Sequence, residues 1–262
     1  MKKDRSAGVP PAMSGGQDAR PFMDFRPLFL GEGAFLNPFD EIEMREHRLP
    51  HWQQGAVWYF VTWRLADSLP GEKLAQWADD KRAWLRGHPQ PWDKAEAKEY
   101  HARFCDAIDH WLDAGEGSCL LRDPANRAIV DDALRHFDGQ KVDLAAFVVM
   151  PNHVHILFRL RPGHKLEDVI HSWKSFTAKG LNRRLGRKGP LWQEDYWDRM
   201  IRNPRHLQAC LGYIRDNPSK ARLPDGAYTL FEGSARVGLV MNGGQDARPP
   251  VPPAVEGGQD VP

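Results

Sequence analysis

The sequence is poor in cysteine and contains no long hydrophobic run. Its three cysteines, Cys105, Cys119 and Cys210, are widely separated in 262 residues. This usage excludes a disulfide-stapled fold and a cysteine-based zinc motif, and it is typical of a reducing compartment. No apolar run approaches the roughly 18 to 20 residues that span a bilayer, and the start MKKDRSAGVPPAMSGGQDARP lacks the apolar block of a signal peptide. We therefore predict a cytoplasmic protein.

The net charge of +1 hides an uneven distribution of charge along the chain. Residues 161–222 carry 14 lysines and arginines against 6 acids, a net of +8, which leaves −7 for the rest. Basic surface is often simply solvated. A concentration of this size nevertheless favours a polyanionic partner.

The two ends of the chain are rich in Gly, Pro and small polar residues. They predict disordered tails at 1–22 and 236–262 around a single domain at 23–235. Both tails contain GGQDARP. This peptide can be encoded by a DNA sequence in which GGCGGGCA and its reverse complement TGCCCGCC flank a central GGA, so that the strand could fold into a hairpin. A hairpin repeat read through into protein is one hypothesis; a duplicated linker or a chance run is the other. Sequencing the gene ends distinguishes them.

The body of the chain predicts alternating strands and helices. Aromatic and β-branched residues favour strands at 56–65, 141–150 and 153–160, and the turn-forming Pro151 and Asn152 predict a hairpin between the last two. Apolar spacing predicts further helices at about 72–111, 122–139, 164–186 and 204–216, the last beginning at Pro204 and stopped by Pro218. One α+β domain with an antiparallel sheet is expected.

Two histidines stand one residue apart in VVMPNHVHILFRL, Val148 to Leu160. On a strand, His153 and His155 point to the same face, which suits two ligands of one divalent metal. Such a pair is more often two packed or surface histidines. Two ligands are also incomplete, because a bound metal needs further donors.

Further donors are present in YIRDNPSKARL, residues 213–223. Tyr213 and Asn217 are four apart, so they share one face of a helix, and the Asn217 amide offers a hard oxygen ligand. A tyrosine beside a metal that binds a phosphate oxygen is a candidate nucleophile, although a tyrosine in an apolar helix is usually a core anchor. Tyr196 in EDYWDRM is the rival nucleophile.

The order and spacing of several motifs carry a family resemblance. VVMPNHVHIL is followed by SWKSFTAKGLNR, GPLWQEDYWDRMIRN and YIRDNPSKARL. Over roughly 48–223 the chain resembles the REP-associated tyrosine transposases, a branch of the single-tyrosine HUH nuclease and transposase family. The resemblance implies a ferredoxin-like antiparallel sheet with helices on one side and the HUH motif on a central strand. The segment from about Glu72 to Ala114 is long for the first crossover.

The resemblance also implies a site. His153 and His155 match the two histidines that bind Mg²⁺ or Mn²⁺, Asn217 falls at a third ligand, and Tyr213 falls at the nucleophile. Tyr213 would attack a phosphate of single-stranded DNA at hairpin repeats, leaving a 5′-phosphotyrosine link and a free 3′-OH. An amide oxygen, a phosphate oxygen and water favour a harder ion than zinc, in agreement with Mg²⁺ or Mn²⁺.

The basic segment supplies candidate DNA contacts, to backbone phosphates or to unpaired bases. They are Trp173, Lys174, Lys179, Arg183, Arg184, Trp192 and Arg202, with Trp197 as an alternative stacking residue. Solvated lysines and core tryptophans are the competing interpretation. A binding protein that no longer cuts and a metal-dependent RNA nuclease are the competing functions, and both a monomer and a homodimer fit the sequence.

Overall fold

The computed structural model describes residues 33–46, 50–89 and 92–233. The predicted tails and their GGQDARP repeats lie outside the described residues, so the hypothesis about them stays a prediction.

The strands and helices follow the predicted alternation. The strands are β1 (Glu43–Glu46), β2 (Pro50–Gln53), β3 (Trp58–Arg64), β4 (Val142–Val149), β5 (His153–Leu160), β6 (Trp197–Met200) and β7 (Thr229–Glu232). The helices are α1 (Gly71–Gly87), α2 (Lys94–Tyr100), α3 (Asp106–Asp113), α4 (Pro124–His136), α5 (Leu166–Arg184) and α6 (Pro204–Lys220). A 3₁₀ turn, Leu120–Arg122, precedes α4.

The main sheet has five strands in the order β6-β3-β5-β4-β7, and every neighbouring pair is antiparallel. The succession β3, α4, β4, β5, α5, β6 is the βαββαβ arrangement of ferredoxin-like folds. The predicted α+β class and antiparallel sheet are confirmed. β5, which carries both histidines, is the central strand.

Alternation along β3 separates the two faces of the sheet. Tyr59, Val61 and Trp63 belong to the cluster under α4 and α5. Trp58 and Phe60 point the other way, to the cluster under α6. Side chains at even positions of β3 therefore share the α6 face.

The expectation of helices on one side of the sheet is wrong, because α6 covers the opposite face. α6 has an apolar stripe of its own, Leu207, Cys210, Leu211 and Ile214, which packs on small and aliphatic residues of β4 and β5. The predicted stop at Pro218 is also wrong, since α6 continues to Lys220. A proline in the last turn removes only its own N–H from the helical ladder, and the Ala221 N–H still donates to the Asn217 carbonyl at 3.0 Å.

The long first crossover forms a helical insertion, residues 71–113, made of α1, α2 and α3. Its centre is an aromatic cluster of Trp84, Tyr100 and Phe104. A second cluster around Ile108 and Leu112 joins the insertion to the body at Leu69 and Trp197. Cys119 and Cys210 are buried free thiols. Among the helices of the described residues, none is long and apolar enough to cross a membrane.

Candidate active site

His153 and His155 begin the central strand and point to the α6 face. Their side chains are buried, with ring centroids 4.6 Å apart. Burial lowers the pKa of His153 to about 3. It lowers the pKa of His155 well below the usual value, and His153 and Lys220 act in the same direction. Both rings are therefore neutral near pH 7, which is the form that binds metals.

Each imidazole is held through its Nδ1 atom. His155 Nδ1 lies 2.7 Å from the Thr62 hydroxyl, and His153 Nδ1 lies 2.7 Å from Asn152 Oδ1. Asn152 Nδ2 donates to the carbonyl oxygens of Leu112 and Glu116 at 3.1 and 3.2 Å. Because those two acceptors require the NH₂ group, Oδ1 faces His153, and His153 must donate from Nδ1. The Nε2 lone pair of His153 is left free for a ligand. Histidines that bind metals usually donate the other ring N–H to a neighbouring acceptor in this way.

Asn217 brings an amide to the same place from α6. Its side chain lies close enough to His153 to raise the pKa of that imidazole against the effect of burial. Asn217 Oδ1 is buried and meets no donor in hydrogen-bond geometry. An unsatisfied buried oxygen is costly unless a ligand completes it. Two imidazoles and this amide oxygen form a candidate donor set for a divalent cation, and no group of three His, Cys, Asp or Glu gathers in the described residues.

Tyr213 lies against the histidines. Its half-buried ring stands edge-on to His155, with the centroids 5.1 Å apart, and edge-on to Phe60 at 5.8 Å. Lys220 Nζ lies 4.9 Å from the Tyr213 ring centroid. Tyr213, Asn217 and Lys220 are spaced i, i+4 and i+7, so one face of α6 carries all three. Lys220 is not among the residues predicted from the sequence, although this spacing marks it.

Arg64 is a further residue that sequence reasoning missed. It is the Cα partner of His153 across β3 and β5 and is only 3 % exposed. Its Nη1 donates to the Ser68 hydroxyl at 3.1 Å, and its guanidinium lies 5.7 Å from the Trp197 ring centroid. Burial lowers the pKa of Arg64, and no carboxylate of the described residues pairs with it. The site therefore holds a cation beside two neutral imidazoles.

The two tryptophans predicted to contact DNA lie in the core on the opposite face. Trp173 is 1 % exposed and stacks on Trp63 at 6.2 Å, and Trp192 donates its Nε1–H to the Thr177 hydroxyl at 2.9 Å. Their burial contradicts the predicted contacts. Trp173 lies on the apolar side that α5 presents to the sheet, and Trp192, which follows α5 in the chain, packs in the same cluster. Trp197, the alternative stacking residue, is half-buried and pairs in register with Thr62, so it shares the histidine face.

The lysines and arginines predicted to contact DNA fall into two groups: those that bond other residues of the protein and those that are only recorded as exposed. Lys174 donates to the Glu194 carbonyl at 2.5 Å, and burial lowers its pKa to about 8. Arg184 bonds Asn126 and Asp123 of the α4 start at 3.0 and 3.4 Å. Lys179, Arg183 and Arg202 are exposed.

Tyr196, the rival nucleophile, is 8 % exposed and belongs to the cluster under α4 and α5. The sheet separates it from the histidines. Phe176, which sequence reasoning did not select, is 62 % exposed on the outer side of α5. It lies outside the buried stripe of that helix, and an aromatic residue in such a position is the signal that marks it.

Replacing Asn152 with Asp is expected to destabilise the protein by about 2 kcal/mol, because the second carboxylate oxygen would face the Leu112 and Glu116 carbonyls instead of donating to them. Urea unfolding measures the loss. Asn182→Asp is the control, since Asn182 donates to one exposed carbonyl, that of Gly189. Equal losses in the two variants would contradict the proposed role of Asn152.

Comparison with known proteins shows what part of this chain resembles. Residues 127–217 match the family model "Transposase IS200 like". The predicted resemblance to the REP-associated tyrosine transposases is confirmed, and the matched segment includes both histidines, Tyr213 and Asn217.

Two curated relatives match the chain. A REP-associated tyrosine transposase of Escherichia coli K12 is 28 % identical over 101 residues, which cover 37 % of this chain and 59 % of the relative. The ISDra2 transposase TnpA of Deinococcus radiodurans is 27 % identical over 120 residues, which cover 45 % of this chain and 74 % of that relative. The chain thus spans about three fifths of the first relative and three quarters of the second.

One solved structure, a REP-associated tyrosine transposase bound to a REP hairpin, is 17 % identical and covers 68 % of this chain and 74 % of its own, with a TM-score of 0.33.

Proposed function

We propose that the protein is a metal-dependent single-stranded DNA endonuclease and transposase that cleaves and rejoins DNA at hairpin-forming repeats through a 5′-phosphotyrosine on Tyr213. The observation that carries this proposal is the position of Tyr213. It lies on the same helix as Asn217, and the centroid of its ring lies 5.1 Å from the centroid of the His155 ring. Repeats of the REP type are the proposed substrate, after the name of the E. coli relative. Such a substrate places the protein at the nucleoid.

In this proposal Mg²⁺ or Mn²⁺ would be held by Nε2 of His153 and His155 and by Oδ1 of Asn217. When bound, the ion polarises the scissile phosphate and stabilises developing charge. Thr62 and Asn152 keep the two imidazoles oriented through Nδ1.

Tyr213 supplies the nucleophile. Its phenolic oxygen loses its proton and forms a bond to phosphorus, while the bond from phosphorus to the 3′ oxygen breaks. The leaving 3′ oxygen takes up a proton and becomes a free 3′-OH. Lys220, whose Nζ lies 4.9 Å from the ring centroid, supplies a positive charge beside the attacking group. Attack of the 3′-OH on the phosphotyrosine reverses the step and rejoins the strand.

The outer side of α5 is the proposed anchor for the hairpin. Residues 169–193 contain six lysines and arginines and no Asp or Glu. Lys179 and Arg183 are exposed there, with Phe176 beside them at helical spacing. Cations that track phosphates next to an exposed aromatic ring are the pattern of nucleic-acid contact. Trp173 and Trp192 are left out of this surface.

Replacing Lys179 and Arg183 together with Gln is expected to weaken hairpin binding and to reduce the slope of log K against log salt by about 1.8, since each lost phosphate contact removes about 0.9. Fluorescence anisotropy at several salt concentrations measures both. The control is Lys73→Gln with Arg82→Gln, which makes the same charge change on the insertion at residues that already form ion pairs. An equal effect of the two double variants would mean that the α5 surface is not the anchor.

The proposed activity is tested by incubating the protein with Mn²⁺ and a labelled single-stranded hairpin that carries both flanks. A covalent protein–DNA adduct that survives denaturing electrophoresis supports it. Binding without cleavage of any repeat from the host genome would favour the non-cutting DNA-binding protein. Cleavage of RNA without an adduct would favour the nuclease.

A further inference from the structure

A cavity of about 400 Å³ opens beside the turn between β4 and β5. Its walls come from the end of α3, the 3₁₀ turn, the β4–β5 turn and the segment that follows α6. They include Leu112, Asp113, Arg122, Met150, Arg222 and Leu223.

Three hydrogen bonds link residues that line this cavity to residues of the candidate active site. The Leu112 carbonyl accepts from Asn152 Nδ2 at 3.1 Å, and the Met150 N–H donates to the His153 carbonyl at 2.9 Å. At the far wall, the Ala221 N–H donates to the Asn217 carbonyl at 3.0 Å. The cavity therefore adjoins the strand and the helix that carry the residues proposed to hold the metal.

Two arginines give the cavity its charge. Arg122 and Arg222 are exposed, and neither guanidinium forms a hydrogen bond or an ion pair with the described residues. Asp113 is the acidic member of the lining and has interactions of its own. Arg222 adopts a φ of 52°, the left-handed conformation that commonly follows the end of a helix. The Leu223 N–H donates to the Pro218 carbonyl at 3.0 Å and closes this turn, so the backbone at Arg222 is fixed.

A buried guanidinium holds the cavity in shape. Arg127 is 4 % exposed and donates to the carbonyls of Leu121 and Arg122 at 2.9 and 2.6 Å, to that of Gly226, and to the Thr229 hydroxyl at 3.2 Å. It thereby ties the turn that carries Arg122 to the segment after Arg222. The cavity is formed before any ligand arrives, and a preformed site loses less entropy on binding.

We infer that this cavity binds a nucleotide of the single-stranded flank next to the scissile phosphate. Arg122 and Arg222 hold backbone phosphates, and the base packs against the apolar side chains of Leu112, Met150 and Leu223. The inference rests on the proposed function and adds to it a protein contact with the strand outside the hairpin.

The test compares two labelled oligonucleotides, a bare hairpin and the same hairpin with both flanks, on the full chain carrying Tyr213→Phe so that cleavage cannot intervene. Arg122→Gln with Arg222→Gln is expected to weaken binding of the flanked hairpin about tenfold, to lower its salt slope by about 1.4, and to leave the bare hairpin unchanged. Lys179→Gln with Arg183→Gln is the matched control and should weaken both. An abasic nucleotide in the flank should remove part of the preference for flanked DNA.

Several outcomes would overturn the inference. They are an equal affinity of the parent for the two oligonucleotides, an unchanged preference in the Arg122 and Arg222 variant, or an equal loss on both DNAs. Failure of the parent to bind either DNA would instead overturn the proposed function itself.

Discussion

Tyr213→Phe is expected to abolish the covalent protein–DNA adduct while changing hairpin affinity by less than about twofold. The substitution removes only the hydroxyl oxygen, so the edge-on contacts of the ring with His155 and Phe60 remain. Without a nucleophile the covalent route is closed, and a loss of more than about 10³-fold in cleavage rate is expected, as for other residues that act directly on the reacting bond. Denaturing electrophoresis of labelled DNA measures the adduct, and anisotropy measures the affinity.

Tyr196→Phe provides the matched control, because it removes the same atom on the opposite face of the sheet. It should leave the adduct intact. Cleavage that survives Tyr213→Phe but not Tyr196→Phe would move the nucleophile to Tyr196. Cleavage that survives both variants would replace the covalent mechanism with hydrolysis.

His153→Ala is expected to weaken Mn²⁺ binding by at least about 100-fold and to abolish cleavage. Removal of a direct ligand should exceed the roughly 10- to 100-fold effect of losing an outer-shell partner. Calorimetric titration of Mn²⁺ in the absence of DNA gives a readout that does not depend on activity. DNA affinity should be largely retained, since the exposed cations of α5 lie on the other side of the sheet.

His171→Ala is the control for this variant, because His171 is exposed on α5. It should bind Mn²⁺ like the unmodified protein. If His153→Ala abolishes cleavage but leaves the Mn²⁺ titration unchanged, the ligand role of His153 is wrong and a structural role replaces it.

Local periodicity was enough to predict the elements that position the site. The same-face placement of His153 and His155 follows from strand alternation, and the closeness of Tyr213 and Asn217 follows from helical spacing. Helical spacing also puts Trp173 on the apolar stripe of α5. An aromatic residue among basic neighbours nevertheless suggested that Trp173 contacts DNA. Burial excludes that contact, because a large apolar ring on such a stripe gains more from the core than from solvent.

The supporting residues were not predictable from local patterns. Thr62 reaches His155 across 93 positions in sequence, and Asn152 fixes His153 only because the insertion brings two carbonyls to it. Arg64 reads as an ordinary strand residue until pairing sets it beside His153. The strands β6 and β7 have four residues each, too few for alternation to be distinctive.

The position of the sheet between α5 and α6 sets a minimum length for the substrate. A strand that touches both the outer side of α5 and Tyr213 must pass round an edge of the sheet or past the ends of its strands. That path is at least as long as the sheet and one helix are thick, about 20 Å. A stacked strand, at about 3.4 Å per nucleotide, would cover that distance with roughly six nucleotides, and a more extended strand would need fewer. The protein would then set a lower limit on the distance between the anchored repeat and its cleavage point.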